Sequence, residues 1–342
     1  MTTKVEKICA ETINENRSVD ILQEASRLIK CGSLVAFPTE TVYGLGANAL
    51  DETACAGIFA AKGRPADNPL IIHISSLNML EDLCEITPTV QKLIDAFWPG
   101  ALTIVMKRKG KVPDIVSAGL NTVGVRFPSN LIARALIEAS AVPIAAPSAN
   151  LSGSPSPTKA EHVFDDFDGK IPMIIDGGAV DIGLESTVID ASGEYVTILR
   201  PGSIDAKKLG EVLGYEVGYV KIGDDEAPKS PGMKHRHYSP KANLHLAGSY
   251  EEVENIRDEV LMKTAKEPLC IIMEKEGENY CADMEIFKIS KYSDMEMYAR
   301  NLFTSLRYAD SKGYETVIVQ TVPEEGLGIA IMNRLKKAAS GC

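Results

Sequence analysis

Lys62-Gly63-Arg64-Pro65-Ala66-Asp67-Asn68-Pro69-Leu70 runs straight into Ile71-Ile72-His73-Ile74. The first part sets two fixed cations around a glycine on a loop stiffened by Pro65 and Pro69. The second is an apolar run of strand length. A helix of small residues over roughly 51–61 comes before them, so the order is helix, cationic loop, strand. Arg offers a planar fork of donors and Lys a point charge, a pair suited to a phosphate or a carboxylate. Most Lys and Arg are simply solvated, so this loop acquires meaning from the stretches on either side.

On the N-terminal side, Ser18 reads as an N-cap. Ile21, Leu22, Ala25, Leu28 and Ile29 follow at helical spacing, and Gly32 ends the helix. Leu34-Val35-Ala36-Phe37 is a buried strand closed by Pro38. Next comes Pro38-Thr39-Glu40-Thr41-Val42-Tyr43-Gly44-Leu45-Gly46. Its two glycines let backbone approach a ligand closely. No Gly-Lys-Ser/Thr makes it a P-loop, and the third glycine of a dinucleotide fingerprint is missing.

On the C-terminal side, Val90, Leu93, Ile94 and Phe97 mark a helix stopped by Pro99-Gly100. Strands are expected at Leu102–Met106 and Val123–Phe127. Arg126 lies inside the second, where a charge needs either a salt-bridge partner or an anionic ligand. A helix over 130–139 leads to Val142–Ala146, a strand ending in Pro147-Ser148-Ala149-Asn150. The loop Leu151-Ser152-Gly153-Ser154-Pro155-Ser156-Pro157-Thr158 reads as a Ser/Pro linker or as hydroxyls and N–H groups placed to hold a phosphate. Strands at Met173–Asp176, Thr187–Asp190 and Tyr195–Leu199 put Ser186 and Arg200 at strand ends, and 205–213 is a closing helix. Helices and short strands without strict alternation predict a twisted mixed sheet.

From Asn243 the pattern changes. Strands at Leu244–Ala247, Pro268–Met273, Ile286–Ile289 and Thr316–Gln320 alternate with helices marked by Val253–Leu261, Met295–Ala309 and 328–339. This predicts a small Rossmann-like domain with a parallel sheet, and without a glycine fingerprint no dinucleotide is assigned to it. The expected domains are residues 1–213, a linker over 214–242, and 243–342.

A length of 342 residues agrees with two domains. The net charge of −11 argues against non-specific coating of nucleic acid. Against that background residues 229–240 hold Lys229, Lys234, Arg236 and two histidines with no acid, so the linker is a basic island. His235 and His237 without a nearby Cys or carboxylate do not make a metal site. The seven cysteines are dispersed with no C-x-x-C pair, which argues against a disulfide framework or a zinc site. No apolar run has the length of a membrane span and the N-terminus lacks an apolar signal core, so a cytoplasmic protein with no membrane partner is expected.

Taken together, Pro38–Gly46, Lys62-x-Arg64 and Ser148-x-Asn150 resemble the YrdC-like family. A linker with Arg236-His237-Tyr238 and a Rossmann-like tail resembles its two-domain form, the L-threonylcarbamoyladenylate synthases. The resemblance covers nearly the whole chain. It implies an α/β protein made of a YrdC-like twisted mixed sheet with flanking helices and a smaller parallel-sheet domain. It also implies a nucleotidyltransferase. L-threonine, bicarbonate and ATP would give threonylcarbamoyl-AMP and pyrophosphate, and the product would supply the modification of tRNA beside the anticodon. By this resemblance Lys62 and Arg64 would be catalytic. ATP would be held by Arg64, Asn68, Thr122, Ser148, Asn150, Ser156, Arg200, Arg236 and Tyr238. L-threonine would be held by Thr41, His73, Arg126, Ala146 through its backbone, and Ser186. Mg2+ would accompany ATP on its phosphate oxygens, with no protein ligand assigned. The linker would act as a lid that excludes water from a labile carbamate and mixed anhydride. A tRNA threonylcarbamoyl transferase would receive the product, and tRNA itself would bind weakly. The alternative is a non-catalytic module that binds double-stranded RNA or tRNA, with steep salt dependence. A carbamoyl-transfer accessory resembling hydrogenase-maturation proteins would need zinc-finger and acylphosphatase segments, which are missing here.

Overall fold

The computed structural model describes residues 2–220, 238–277, 280–281 and 283–340. Those residues divide into two units. The first takes residues 2–152, 157–181 and 185–220. The second takes Gly153–Ser156, Ile182–Leu184 and 238–340. Two short segments from within the span of the first unit therefore group with the second unit, which the contiguous boundaries expected from sequence did not anticipate.

In chain order the first unit contains β1 (Lys4–Lys7), α1 (Asn16–Lys30), β2 (Val35–Phe37), β3 (Gly44–Asn48) and α2 (Glu52–Lys62). Next are β4 (Ile71–His73), α3 (Leu77–Leu83), α4 (Pro88–Phe97), β5 (Leu102–Lys107) and α5 (Asp114–Ser117). They are followed by β6 (Thr122–Arg126), α6 (Leu131–Ser140), β7 (Ile144–Ala145), α7 (Ala160–Phe167) and β8 (Met173–Asp176). β9 (Thr187–Asp190), β10 (Thr197–Arg200) and α8 (Ala206–Leu213) complete it. The strands form one ten-stranded mixed sheet in the order β1-β8-β2-β3-β7-β4-β6-β5-β9-β10. Mixed pairing is the expected result of helices and strands that do not alternate strictly.

The strand side chains alternate between two cores. Val35 and Phe37 pack with Ile144, Met173, Ile175 and the inner faces of α1 and α6. Leu34, Ala36, Ala145 and Ile174 point the other way, into a larger core with α2, α4, α7 and α8. Burial on both faces explains why these strands read as unbroken apolar runs. The helix ends carry their own signals. Asp51, Thr87, Asn130 and Asp205 accept N–H groups at the starts of α2, α4, α6 and α8. α1 begins at Asn16 after Glu15, so Ser18 lies within its first turn rather than capping it.

The largest departure from expectation is the Gly44–Gly46 segment. It is a strand, antiparallel to β2, and not a ligand loop. A Cβ on Gly46 would stand 2.7 Å from the Phe37 ring and 2.8 Å from the Ile144 side chain. That glycine serves close packing of the sheet.

The second unit contains β11 (Asn243–Ala247), α9 (Tyr250–Thr264), β12 (Leu269–Glu274), β13 (Glu285–Lys291), α10 (Met295–Lys312), β14 (Thr316–Gln320) and α11 (Leu327–Ala339). Its four strands are all parallel, in the order β11-β14-β12-β13. The crossovers β11-to-β12 and β13-to-β14 run in opposite directions along the sheet. Right-handed connection therefore places α9 and α10 on opposite faces. The packing agrees: α9 lies on β11, β14 and β12, while α11 lies on β11 and α10.

Candidate active site

Strand pairing in the first unit lines up three polar residues. His73 of β4 is opposite Arg126 of β6, and Arg126 is opposite Thr103 of β5. On the other side His73 pairs with Ile144 of β7. Paired residues share a face of the sheet, so this row continues the Phe37–Ile144 face, where the apolar core gives way to polar side chains. The His73 imidazole meets Phe37 edge-on, with centroids 6.2 Å apart.

Arg126 is buried and held by three groups. Its Nε donates to the Gly100 carbonyl at 3.3 Å and one terminal nitrogen to the Thr41 hydroxyl at 2.8 Å. The other terminal nitrogen is 2.7 Å from a carboxylate oxygen of Glu40, which is equally buried. Of the two alternatives the sequence left open for Arg126, the salt bridge is present. A buried ion pair adds little net stability after desolvation, so what it supplies here is a guanidinium fixed in place. Burial would raise the Glu40 carboxyl, but the Arg126 charge and backbone donors outweigh it and hold the group below its ordinary value. The same surroundings act on His73. Burial first, then the neighbouring Arg126 charge, push it down to about 3. It is a neutral imidazole at physiological pH, and its Nδ1 makes no hydrogen bond among the described residues.

Across β5, the Thr103 and Ser186 hydroxyls are 2.7 Å apart. Arg200, at the end of β10, donates to the Ser186 carbonyl and hydroxyl, each at 3.2 Å. This close approach depends on Gly202, where a Cβ would stand 2.4 Å from the Thr187 nitrogen.

The cationic loop begins where α2 ends, at Gly63 in the left-handed region with φ 60°. Lys62 is buried in the last turn, and its Nζ donates to the carbonyls of Ser148 and Asn150 at 2.6 and 2.5 Å. The Ser148 hydroxyl in turn donates to Asn150 Oδ1 at 2.5 Å. Lys62 therefore ties the strand-end loop 148–150 to α2. Arg64 folds back on its own loop, donating to the Asn68 and Pro69 carbonyls at 3.0 and 3.2 Å. Asn68 is only 1 % exposed, yet its Oδ1 has no hydrogen-bond partner among the described residues. A buried acceptor left unpaired calls for a ligand or a water.

Ala146 is buried and spends its N–H on the Ile71 carbonyl, leaving its own carbonyl as the remaining backbone group. Thr122 opens β6, about 13 Å along the strand from Arg126 at roughly 3.3 Å per residue. It is therefore apart from the polar row. Ser156 and Tyr238 belong to the second unit. There Tyr238 is buried, stacks on Phe303 with centroids 5.4 Å apart, and lies under the Arg334 guanidinium. Arg236, most of the basic linker and the lid expected from it lie outside the described residues.

Three residues of the site escaped the reading of the sequence. Glu40 partners Arg126, and Thr103 partners Ser186. Tyr43 donates to the Gly178 carbonyl at 2.7 Å and accepts from the Gly177 N–H at 3.1 Å. Glu40 had a visible signal, as an acid between two threonines in a run otherwise rich in apolar residues. Thr103 had none.

A family model described as "Telomere recombination", covering the Sua5, YciO and YrdC proteins, matches residues 27–202. A second, described as "Threonylcarbamoyl-AMP synthase, C-terminal domain", matches residues 204–340. The chain belongs to the two-domain threonylcarbamoyl-AMP synthase family. It is 48% identical to the threonylcarbamoyl-AMP synthase of Pyrococcus abyssi, over 92% of this chain and 93% of that one. It is 44% identical to that of Bacillus subtilis, over 94% and 93%. The crystal structure of P. abyssi Sua5 complexed with L-threonine superposes with a TM-score of 0.89 at 44% identity, covering 99% of this chain and 98% of that one. Family membership carries the two-domain α/β fold and a catalytic role as a transferase. No helix among the described residues is long and apolar enough to cross a membrane.

Proposed function

We propose that this chain makes threonylcarbamoyl-AMP from L-threonine, bicarbonate and ATP, with release of pyrophosphate. The observation that carries the reading is the buried row of His73, Arg126 and Thr103, fixed by Glu40, Thr41 and Ser186. It occurs in a chain 44% identical to a protein crystallised with L-threonine. The alternative of a non-catalytic RNA-binding module finds no support, since the relatives are named as synthases.

The chemistry suits the residues. The threonine amine and bicarbonate condense to a carbamate with loss of water. A carbamate oxygen then bonds to the α-phosphorus of ATP, the bond from that phosphorus to the bridging oxygen breaks, and pyrophosphate leaves. Two anions must approach each other, which calls for fixed donors and cations more than for a protein nucleophile. On this reading Arg126, Thr41, Ser186 and the Ala146 carbonyl hold threonine. Neutral His73 offers its unpaired Nδ1 as a hydrogen-bonding group with no extra positive charge. Arg64, Asn68, Ser148, Asn150, Arg200 and Thr122 hold ATP. Lys62 holds the 148–150 loop in position for the phosphates.

Among the described residues no three His, Cys, Asp or Glu converge as a metal site, and the Glu40 carboxylate is engaged by Arg126. Mg2+ is therefore proposed to arrive with ATP on its phosphate oxygens. Cytoplasmic location, weak tRNA binding and transfer of the product to a tRNA threonylcarbamoyl transferase belong to the same proposal. The test is pyrophosphate release by the purified protein with Mg-ATP and bicarbonate, with and without L-threonine, and with serine as control. Threonine-dependent release is expected. Release indifferent to threonine, or no release from folded protein, would overturn the reading.

A further inference from the structure

We infer that Thr103 is a positioning residue for the reaction proposed above. Its hydroxyl donates to Ser186 and so turns the Ser186 proton toward an acceptor on the substrate. The inference rests on the assignment of Ser186 to threonine.

Protons and lone pairs give the direction. A hydroxyl has one proton to donate and two lone pairs that accept. The Thr103 and Ser186 oxygens are 2.7 Å apart, so one donates and the other accepts. A guanidinium can only donate, so the 3.2 Å contact from Arg200 fills one lone pair of Ser186. Neither hydroxyl has a further hydrogen-bond partner among the described residues. One proton of the pair is spent between the two oxygens, and the other has no acceptor there.

Burial decides which of the two is spent. Thr103 is fully buried in β5, paired with Arg126 of β6 on one side and Val188 of β9 on the other. A Cβ on Gly124 of β6 would already stand 3.1 Å from its methyl, so no ligand atom fits beside it. A buried donor without an acceptor is costly, and at Thr103 nothing could relieve it. Ser186 immediately precedes β9 and is the member of the pair that faces threonine on the reading above. The arrangement in which every group is satisfied has Thr103 donating to Ser186, Arg200 filling the second lone pair, and the Ser186 proton meeting a substrate acceptor such as a carboxylate oxygen.

Thr41, the other hydroxyl assigned to threonine, is set the opposite way. Thr39 spends its proton on the Val42 carbonyl at 2.7 Å. In the 2.8 Å contact between Thr39 and Thr41 the donor is therefore Thr41. Arg126 fills one Thr41 lone pair, so Thr41 has only an acceptor left to offer. One hydroxyl that donates and one that accepts distinguish the two ends of an amino acid, whose carboxylate accepts and whose nitrogen donates.

The experiment is steady-state pyrophosphate release by the full-length protein, with threonine and ATP varied in turn. The variants are Thr103→Val, Thr103→Ala and Thr103→Ser, together with Ser186→Ala alone and combined with Thr103→Val. Thr103→Val is expected to raise KM for threonine about tenfold and to leave KM for ATP within about twofold of the parent. Thr103→Ala should do the same, and it carries the test where Thr103→Val fails to fold. Thr103→Ser keeps the hydroxyl and should restore the parent values. In the Ser186→Ala background Thr103→Val should add nothing, because its effect passes through Ser186. An unchanged threonine KM, an equal rise in both KM values, no recovery in Thr103→Ser, or the full effect persisting in Ser186→Ala would overturn the inference and leave the proposed reaction standing. A parent enzyme whose pyrophosphate release ignores threonine would overturn the reaction, and the role of Thr103 with it.

Discussion

The two sheets end differently. In the first unit the strand ends and the loops and helix end beside them carry Glu40, Lys62, Arg126 and Arg200, all buried and all cross-linked to neighbours. In the second the corresponding edge opens on a cavity whose only charged lining residue among the described residues, Lys275, is exposed. Buried charges must be fully paired or they destabilise the fold. The first edge is therefore rigid and intolerant of change, and each side chain is preorganised by another. The second edge leaves its charge in solvent, so single replacements there should scarcely be felt by the fold.

Breaking the Glu40–Arg126 pair should give the largest effect. Arg126→Leu strands a buried carboxylate and is expected to destabilise by about 3–5 kcal/mol in chemical denaturation. Threonine-dependent pyrophosphate release should be lost with it. If Glu40→Gln, Arg126→Leu together proves as stable as the parent while pyrophosphate release stays lost, the pair serves the site and not the fold. Lys62→Met comes next, leaving the Ser148 and Asn150 carbonyls unpaired at about 1–3 kcal/mol for each buried group. Its KM for ATP should rise if the 148–150 loop meets phosphates. Gly46→Ala probes the sheet behind the site. The clash with Phe37 and Ile144 is expected to destabilise by about 1–3 kcal/mol, and an unaffected melting temperature would show that the sheet yields there.

The pH response sharpens the same contrast. His73 sits at about 3 folded, against 6.5 as its ordinary value. The unfolded chain therefore binds more protons between those values, and stability rises with pH. The His73 contribution is complete above 6.5 and is lost progressively as pH falls from there toward 3. Glu40 adds a loss of the same sign below 4.5. Denaturation midpoints measured from pH 7.5 down to pH 5 should fall in the parent and flatten in His73→Leu; parallel curves would contradict the burial argument. The smallest effect is expected at the other edge, where Lys275→Ala should change stability by no more than about 0.5 kcal/mol and leave pyrophosphate release unchanged.

Most helices and the second sheet were legible from periodicity. The α9 and α10 positions, for instance, repeat apolar residues at helical spacing through Val253, Ile256 and Val260 and through Met295, Ala299, Leu302 and Leu306. β1 was not legible, because Lys4–Lys7 is a short polar edge strand defined only by its pairing with β8. β3 was hidden because Gly44 and Gly46 have no side chain to show alternation. At the site, residue types and strand ends pointed to Arg126, Ser186 and Arg200, and the family resemblance to His73. Their mutual contacts did not follow, because Thr103 and Ser186 are 83 positions apart and meet only through the pairing of β5 with β9.

Side-chain periodicity, caps and turn residues are local properties, and they were enough to specify most of the elements, the change of grammar near residue 243 and the candidate cations. The order of ten strands, the exchange of Gly153–Ser156 and Ile182–Leu184 into the second unit, the choice of Glu40 as the partner of Arg126 and the cavity at the end of the second sheet are non-local. They are settled by which apolar faces cover one another and by the need of each buried polar group for a partner. No short window of residues contains that information.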